Sequence, residues 1–252
     1  METYKGKTMG NRGYIIRLIS ILVLSLCFLN QSCAGSDIDS ERSIQKETHQ
    51  RELIVLIHGL MRTSMSMTFL KSYLEHQGYQ VYSYSYPSAK YTIRDHGLYL
   101  KNYIAHLIAE NPGAKIHFIT HSLGGIISRE AIAFLTKNQL QHIGYLIMMA
   151  PPNQGSFLAK ISTQFFPWFT SPIKPLAELS SDKNSYVHHV PVPNIKMGII
   201  AGRFDAKVPP SSAMLNETTD LVVINSTHTF IMSNFETEKL ILNFLEKGTF
   251  DE

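Results

Sequence analysis

One serine lies where an apolar, strand-like run meets an apolar-periodic helix. The segment Ile116–Ile127 reads IHFITHSLGGII, and Ser122 stands in its turn. A strand-to-helix turn this sharp strains its central residue and needs small residues two places before and after it. Gly124 meets this requirement and Thr120 meets it in part, so the motif G-x-S-x-G appears as T-x-S-x-G. The pattern indicates either a serine presented as a nucleophile or a plain glycine-containing turn into a helix.

A serine hydroxyl becomes a good nucleophile when an imidazole accepts its proton, and the imidazole needs a carboxylate that holds its tautomer. In sheets that present a serine in this way, the three groups follow in the order serine, acid, histidine. Of the eleven histidines, only His228 lies beyond His189, and it follows the last predicted strand by four residues. His228 is therefore the candidate base. The alternative is an ordinary surface histidine.

Three aspartates lie between the serine and this histidine. Asp205 directly follows a predicted strand at 197–201, where an acid can reach a histidine placed after the next strand. Asp182 falls in an irregular aromatic segment, and Asp220 opens a strand. Asp205 is therefore the predicted acid, with Glu217 and Asp220 as reserves. Its alternative role is to form an Asx turn.

The elements that must hold these groups alternate between strands and helices. Leu53–Ile57 is apolar on both faces, which is typical of a central strand in a parallel sheet. Gln80–Tyr86 has three alternating tyrosines, which favour packing under a helix over sugar stacking. Such alternation predicts a parallel sheet covered by helices on both faces. Further strands are predicted at 116–121, 145–150, 197–201 and 221–224, and helices at 67–77, 93–110, 123–135 and 238–247.

The periodicity dissolves between residues 157 and 194. This segment is rich in phenylalanine and proline, contains the one tryptophan of the chain and has no strand signal. Its aromatic content predicts an apolar wall or a lid over the serine.

Residues 1–34 differ from the rest of the chain. Four basic residues precede an apolar run from Leu18 to Leu29, and small residues follow. A run of twelve residues is too short to span a bilayer comfortably, so the pattern predicts an export signal cleaved before Gly35. An uncleaved N-terminal anchor helix is the alternative.

Both cysteines, Cys27 and Cys33, lie in this predicted signal. The remainder of the chain therefore has no cysteine nucleophile, no cysteine zinc site and no disulfide. Ser32 before Cys33 resembles a bacterial lipoprotein signal, whereas Asn30 departs from it. We therefore expect an exported protein, either periplasmic or secreted, or anchored to a membrane through lipid on Cys33.

The net charge of +3 also comes from residues 1–34, which carry four basic residues and one acidic residue. The rest is close to neutral and has no basic cluster interleaved with aromatics, so no nucleic-acid partner is expected. Residues 35–51 are polar and charged and predict a flexible spacer, and residues 52–252 form the predicted folded domain. No phosphate-binding loop or metal-ligand spacing is present, so no cofactor and no metal are expected.

Four motifs together resemble the α/β-hydrolase fold, and within it the single-domain bacterial lipases and esterases. They are H-G-L at 58–60, T-H-S-L-G-G at 120–125, D-x-x-V-P at 205–209, and His228. The resemblance implies an α/β fold with a mostly parallel central sheet, helices on both faces and a short irregular lid. It also implies an oxyanion hole formed by the backbone N–H groups of Leu60 and Leu123.

The resemblance further implies a serine hydrolase that cleaves carboxylic esters through an acyl-enzyme, with Ser122, Asp205 and His228 as its catalytic triad. Its expected partner is an acyl ester or lipid substrate. Thioester hydrolysis or acyl transfer on the same triad stays open, as does a non-catalytic member of the fold that binds lipid or a partner. His58 and His121 are expected to orient neighbouring groups.

Overall fold

A single parallel sheet forms the framework of the chain in the computed structural model, which describes residues 52–215 and 219–251. The strands lie in the order β2-β1-β3-β4-β5-β6. Their bounds are β1 Glu52–Ile57, β2 Gln80–Tyr84, β3 Lys115–His121, β4 Ile143–Met149, β5 Met197–Gly202 and β6 Asp220–Ile224.

Helices connect these strands. They are α1 Thr68–His76, α2 Ile93–Glu110, α3 Leu123–Ala133, α4 Lys137–Leu140, α5 Phe157–Phe165, α6 Pro167–Thr170, α7 Lys174–Glu178, α8 Pro210–Ala213 and α9 Phe235–Lys247. Short 3-10 turns occupy Ser64–Met67, Tyr186–His189 and Phe230–Ser233. Within the described ranges, no helix has the length and apolarity needed to cross a membrane.

Residues predicted as the signal at 1–34, with Cys33, and as the spacer at 35–51 lie outside the described part of the chain, as does the reserve acid Glu217.

Side chains of β1 alternate between two cores because successive strand residues point to opposite faces of the sheet. Val55 and Ile57 join the core that contains residues of α2 and α3, whereas Ile54 and Leu56 join the core that contains residues of α1 and α9. β1 pairs in parallel with β2 on one side and β3 on the other. Its apolar run is therefore buried on both faces, which confirms the prediction of a central strand.

The order of the strands creates a crevice at one end of the sheet. From β1 the chain crosses to β2 on one side and then to β3 on the other. The connections that leave β1 and β3 therefore diverge, and parallel sheets bind ligands at such a switch point, beside the carboxyl ends of the strands.

The helices and strands differ from the predicted ones mainly in the residues at which they begin and end. Helix α9 begins at Phe235, ahead of the predicted residue 238, because the Asn234 side chain accepts the Glu236 N–H at 2.8 Å and caps it. The predicted strand 80–86 ends at Tyr84. Its tyrosines pack as expected under α2, where the ring centroids of Tyr84 and Tyr103 lie 5.0 Å apart.

The segment from 157 to 194 has no strand of its own and forms short helices. Ser156, which precedes it, makes an isolated bridge to Ser180. The Ser156 side chain also accepts the Ala159 N–H at 3.3 Å and caps α5. These helices, α5 to α7, form the segment that we call the cap, residues 157–178.

Candidate active site

Ser122 lies between the end of β3 and the start of α3 and has a backbone conformation that serine rarely adopts. Its φ of 53° and ψ of −122° lie outside the regions favoured by residues with a side chain. The Ser122 N–H donates to the Met149 carbonyl at 2.9 Å, and the Ser122 carbonyl accepts the Gly125 N–H at 3.0 Å. These bonds hold the strained turn and direct its hydroxyl out of the sheet edge.

The residues two places before and after Ser122 meet different demands. A Cβ added to Gly124 would lie 2.4 Å from the Ile57 carbonyl oxygen, so only glycine lets α3 approach the end of β1. Thr120 is a strand residue, and its buried hydroxyl lies 3.3 Å from the Ile147 carbonyl. A β-branched residue fits the strand side of the turn, which explains how T-x-S-x-G replaces the more usual motif.

Three of the predicted site residues meet at this turn. His228 Nε2 lies 3.1 Å from Ser122 Oγ, and His228 Nδ1 lies 2.7 Å from Asp205 Oδ2. A carboxylate only accepts, so Nδ1 carries the hydrogen and Nε2 is free to accept the serine proton. Ser122 keeps 9% of its surface exposed, at the floor of an open cavity.

The Asp205 carboxylate is oriented by its own loop. Its Oδ1 accepts the N–H groups of Lys207 and Val208 at 2.9 and 2.8 Å. The Asx turn considered as an alternative role is therefore present together with the bond to His228. Those backbone donors fix the carboxylate, leaving Oδ2 for the imidazole.

The other acids face different partners. Asp182 pairs with Lys160 at 2.6 Å and accepts the Ser180 hydroxyl. Asp220 accepts the Thr249 hydroxyl and the Phe250 N–H, both at 2.8 Å. Neither carboxylate therefore contacts His228 in this structure.

His121 connects the serine turn to the histidine loop. Its Nε2 lies 2.8 Å from the His228 carbonyl, so Nε2 carries the hydrogen and donates. Burial is the main cause that lowers the pKa of His121 to about 3, with the nearby His228 as the next cause. His121 therefore stays neutral at ordinary pH and orients the backbone of His228.

The loop after β1 forms a tight turn beside the serine. The Arg62 N–H donates to the Gly59 carbonyl at 3.3 Å, and the Met61 N–H donates to Ser88 Oγ at 2.9 Å. Leu60 lies between Gly59 and Met61 in this turn and lines the cavity. Leu123 is the first residue of α3, so its N–H has no acceptor within the helix.

His58 supports this loop from below. Its Nδ1 lies 3.0 Å from the Gly59 carbonyl, and its ring stacks on Tyr86 with centroids 4.3 Å apart. The Tyr86 hydroxyl in turn donates to the His58 carbonyl at 2.7 Å. Burial lowers the pKa of His58, so the ring is neutral and acts as packing for the loop.

A cavity of about 410 Å³ opens above Ser122. One part of its wall comes from the chain that follows β4, and another part from the loops after β1, β5 and β6. The members that follow β4 are mostly apolar: Pro152, Ser156, Leu158, Ala159, Ser162, Leu176 and Leu179. The four cap aromatics Phe165, Phe166, Trp168 and Phe169, which the sequence suggested as a wall or lid, are exposed and do not line this cavity.

Some contributors to the site carry no sequence signal. Met149 and Ser88 accept backbone N–H groups of the active-site turns, and Arg62 Nη2 donates to Thr229 Oγ1 at 2.8 Å. These partners are far apart in the chain, and none of them belongs to a motif that the sequence singles out. Only the folded sheet brings them together.

The sheet order, the helices on both faces and the serine on a strained turn after a central strand define the α/β-hydrolase class, as the sequence predicted. Residues 46–176, just over half of the chain, match the family described as "Putative serine esterase (DUF676)". The chain belongs to this family, which supports a serine hydrolase. Among curated proteins, none matches the sequence.

Solved structures share the fold at low sequence identity. The mature form of the Bacillus licheniformis lipase BlEst2 is 18% identical with a TM-score of 0.63, covering 78% of this chain and 91% of the lipase. The Legionella pneumophila phospholipase PlaB is 19% identical with a TM-score of 0.67, covering 79% of this chain and 59% of the phospholipase. YbtT, a type II thioesterase of the yersiniabactin pathway, is 13% identical with a TM-score of 0.55, covering 77% of this chain and 92% of the thioesterase.

Proposed function

We propose that this chain hydrolyses carboxylic esters of apolar acyl groups through a Ser122-His228-Asp205 triad. The observation that carries this proposal is the continuous hydrogen-bonded chain from Asp205 through His228 to the Ser122 hydroxyl, at 2.7 and 3.1 Å, on the floor of a half-open cavity. Family membership and the structural neighbours support the same class of chemistry.

In the proposed reaction, Ser122 Oγ attacks the ester carbonyl carbon while His228 Nε2 takes the hydroxyl proton. Asp205 stabilises the imidazolium that forms, through the bond to Nδ1–H. The carbonyl oxygen becomes an oxyanion, which we assign to the N–H groups of Leu60 and Leu123; such donors contribute about 3 to 4 kcal/mol each.

Collapse of this intermediate breaks the bond to the alcohol, and His228 returns its proton to the leaving oxygen. The product is an ester of Ser122 with the acyl group. Water then attacks this acyl-enzyme, again with His228 as the base, and the carboxylic acid is released. No cofactor enters this scheme.

The part of the wall that follows β4 suits an acyl chain. Leu158, Ala159, Leu176 and Leu179 present apolar side chains to the cavity. Their burial against a substrate chain would contribute about 0.8 kcal/mol for each methylene taken from water. We therefore expect kcat/KM to rise with acyl length until the chain fills the cavity.

A second candidate is thioester hydrolysis or acyl transfer on the same triad. The thioesterase YbtT shares the fold, and the chemistry differs only in the leaving group or in the acceptor of the acyl group. Matched ester and thioester substrates of one acyl chain, assayed with and without an added alcohol, separate these activities from ester hydrolysis.

A fluorophosphonate probe tests the proposal directly, because it reacts with an activated serine. We expect labelling of the wild-type protein at Ser122, confirmed by peptide mass spectrometry, and none in Ser122→Ala. Activity on p-nitrophenyl esters of increasing chain length should follow the labelling. Absence of both labelling and ester hydrolysis in folded wild-type protein would instead favour a non-catalytic member of the fold.

We also propose that the chain is exported, with residues 1–34 as a signal, 35–51 as a spacer and 52–252 as the hydrolase domain. Support comes from the basic start, the apolar run and the small residues around Cys33. A lipid on Cys33 would hold the enzyme near lipid substrates. Intact-mass analysis separates a mature chain starting at Gly35, one starting at a lipidated Cys33, and full-length cytosolic protein, which would contradict export.

A further inference from the structure

The charged residues that line the active-site cavity all have one sign. Arg62 follows β1 and Lys207 follows β5, and both contribute to the lining. Among the described residues that line it, none is an aspartate or a glutamate. A cavity built only for a neutral ester and an apolar chain has no need of two cations at its surface, because each must be partly desolvated when substrate enters.

Arg62 retains donors for a ligand. Its Nη2 bonds Thr229 Oγ1 at 2.8 Å, which uses one of the five N–H donors of a guanidinium. Within the described residues, Arg62 forms no ion pair with a carboxylate. The residue is half-buried and lines the cavity, and the bond to Thr229 anchors one end of its guanidinium.

Lys207 is also without an acidic partner in the described part of the chain. Its N–H bonds the Asp205 carboxylate, and its carbonyl accepts the Ser156 hydroxyl, so its backbone is fixed. Its side chain is exposed at the cavity. The closest acid in sequence, Asp205, has a fully buried carboxylate that faces His228. Lys207 therefore lines the cavity without an ion pair to any described carboxylate.

The position of Arg62 indicates which part of a substrate it faces. In ester hydrolysis the histidine gives its proton to the leaving oxygen, so the alcohol portion lies beside His228. Arg62 bonds Thr229, the next residue, and Lys207 lies two residues after Asp205, the partner of His228. Lys207 thus belongs to the loop that holds Asp205, and Arg62 bonds the loop that holds His228, whereas the apolar acyl wall follows β4.

We propose that the preferred substrates are acyl esters whose alcohol portion carries a phosphate group, which Arg62 and Lys207 bind. A planar guanidinium matches phosphate oxygens with paired N–H donors, and an ammonium adds a point charge at the cavity mouth. This inference rests on the proposed esterase function and specifies its leaving group.

Two substrates that differ only in the phosphate test this proposal: 1-oleoylglycerol and 1-oleoylglycerol 3-phosphate, each in the same neutral-detergent mixed micelles. We expect wild-type kcat/KM to favour the phosphate ester by about tenfold or more, equivalent to one charge-assisted hydrogen bond. The preference should shrink as salt rises from about 0.05 to 0.5 M, because part of it is a screened attraction at the cavity mouth.

The variants Arg62→Gln and Lys207→Gln should each lower the ratio of the two kcat/KM values about tenfold, mainly through KM for the phosphate ester. The matched control is Lys137→Gln, an exposed cation on α4 at the opposite edge of the sheet, which should leave the ratio unchanged. Lys207 is exposed, so its replacement does not endanger folding. Arg62→Lys should restore only part of the preference, because it retains charge without the planar fork.

Three results with the oleoyl esters would overturn this inference: equal wild-type kcat/KM for the two esters, a ratio that neither variant changes, or equal losses of activity on both esters. The last result would mean that the cations serve the transition state of every ester. A p-nitrophenyl acetate assay separates failure of the phosphate assignment from failure of the proposed esterase function. Hydrolysis of this ester without hydrolysis of either oleoyl ester would overturn the phosphate assignment alone. Failure on all three esters would overturn the esterase function itself.

Discussion

Two regions at the same edge of the sheet differ in how firmly the fold holds them. The turn from β3 into α3 is buried, and only Ser122 among residues 120–125 reaches 9% exposure. The cap after β4 presents Trp168 to solvent at 76% and Phe169 at 67%. The proposed nucleophile therefore lies on the tightly packed element, and the exposed aromatic surface lies on the loosely packed one.

The difference has a local cause. The strained Ser122 backbone persists because the surrounding strands and α3 leave it no alternative, with Gly124 in close contact with the end of β1. The cap helices have only four to nine residues each, too short to be stable alone. The cap segment is held by a few contacts, such as the hydrogen bond from the Ala159 N–H to the Ser156 side chain and the exposed Lys160–Asp182 ion pair.

The largest effect is expected from replacing Ser122 on the rigid turn and the two groups proposed to act with it. Ser122→Ala and His228→Ala should each lower kcat by about 10⁶, and Asp205→Asn by about 10⁴, since a triad acts as a unit. Steady-state hydrolysis of a p-nitrophenyl ester measures these losses, with circular dichroism to verify folding.

The matched controls are Asp182→Asn and Asp220→Asn, which carry the same chemical change on acids bonded elsewhere. Both should keep kcat within a few-fold of wild type. Near-full activity in Asp205→Asn, together with loss in Asp220→Asn or in Glu217→Gln, would assign the acid differently.

Adjacent glycines in α3 offer a second way to break the rigid turn. Gly124→Ala should destabilise the protein by about 3 kcal/mol, because its Cβ would lie 2.4 Å from a backbone oxygen that cannot easily move. In Gly125→Ala the new Cβ meets the flexible Met148 side chain at 3.2 Å and Pro151 Cβ at 3.3 Å, and a shift of a few tenths of an ångström relieves both contacts. Urea unfolding should therefore show a much smaller change for Gly125→Ala; equal changes would refute the close-approach explanation.

Buried histidines should make stability depend on pH. The pKa of His121 in the folded state, about 3, lies below its unfolded value near 6.5. The unfolded chain therefore binds the proton first, and the stabilisation present above pH 6.5 is lost as pH falls from 6.5 towards 3. Each pH unit in this window removes about 1.4 kcal/mol from the free energy of unfolding for one such histidine.

Denaturant midpoints at pH 7, 6, 5 and 4 measure this slope. His121→Gln should flatten it, because glutamine does not titrate. His189→Gln, at an exposed histidine just beyond the cap, is the control and should keep the wild-type slope. An unchanged slope in His121→Gln would mean that other groups, such as the buried His58 and His96, carry the dependence.

The smallest effect on the chemical step is expected from substitutions in the exposed cap. Trp168→Ser with Phe169→Ser should change the free energy of unfolding by less than about 0.5 kcal/mol, because both side chains face solvent. Hydrolysis of emulsified long-chain esters should fall about tenfold, the equivalent of one apolar side chain withdrawn from a lipid surface. Soluble acetate esters should be hydrolysed at the wild-type rate.

Leu140→Ser, an exposed leucine on α4 at the other edge of the sheet, controls for a general loss of apolar surface. It should affect neither substrate. Equal losses on emulsified and soluble esters in the cap variant would show that the two aromatics support the fold of the cap.

The sequence by itself determined the strands, their parallel arrangement and the place of Ser122. The strand at Leu53–Ile57 and the helix at 93–110 show in the spacing of apolar residues over short stretches, so they can be predicted without knowledge of the fold. Gly124 is equally local, because the steric demand of the turn is met two residues from the serine. The cap was harder to predict. Its prolines, aromatic residues and short helices give no periodic spacing of apolar residues, so the sequence did not predict α5.

Only the tertiary structure decided which side chains meet. His228 lies 106 residues from Ser122 and 23 from Asp205, and the sequence left three carboxylates as candidates for its partner. The bond from His121 to the His228 carbonyl spans 107 residues, and the bond from Arg62 to Thr229 spans 167. Such pairs depend on which strand ends are neighbours at the sheet edge and on the path of each loop there. Local patterns of hydrophobicity do not encode those distances, because they specify the face of an element and leave the position of its loop to packing.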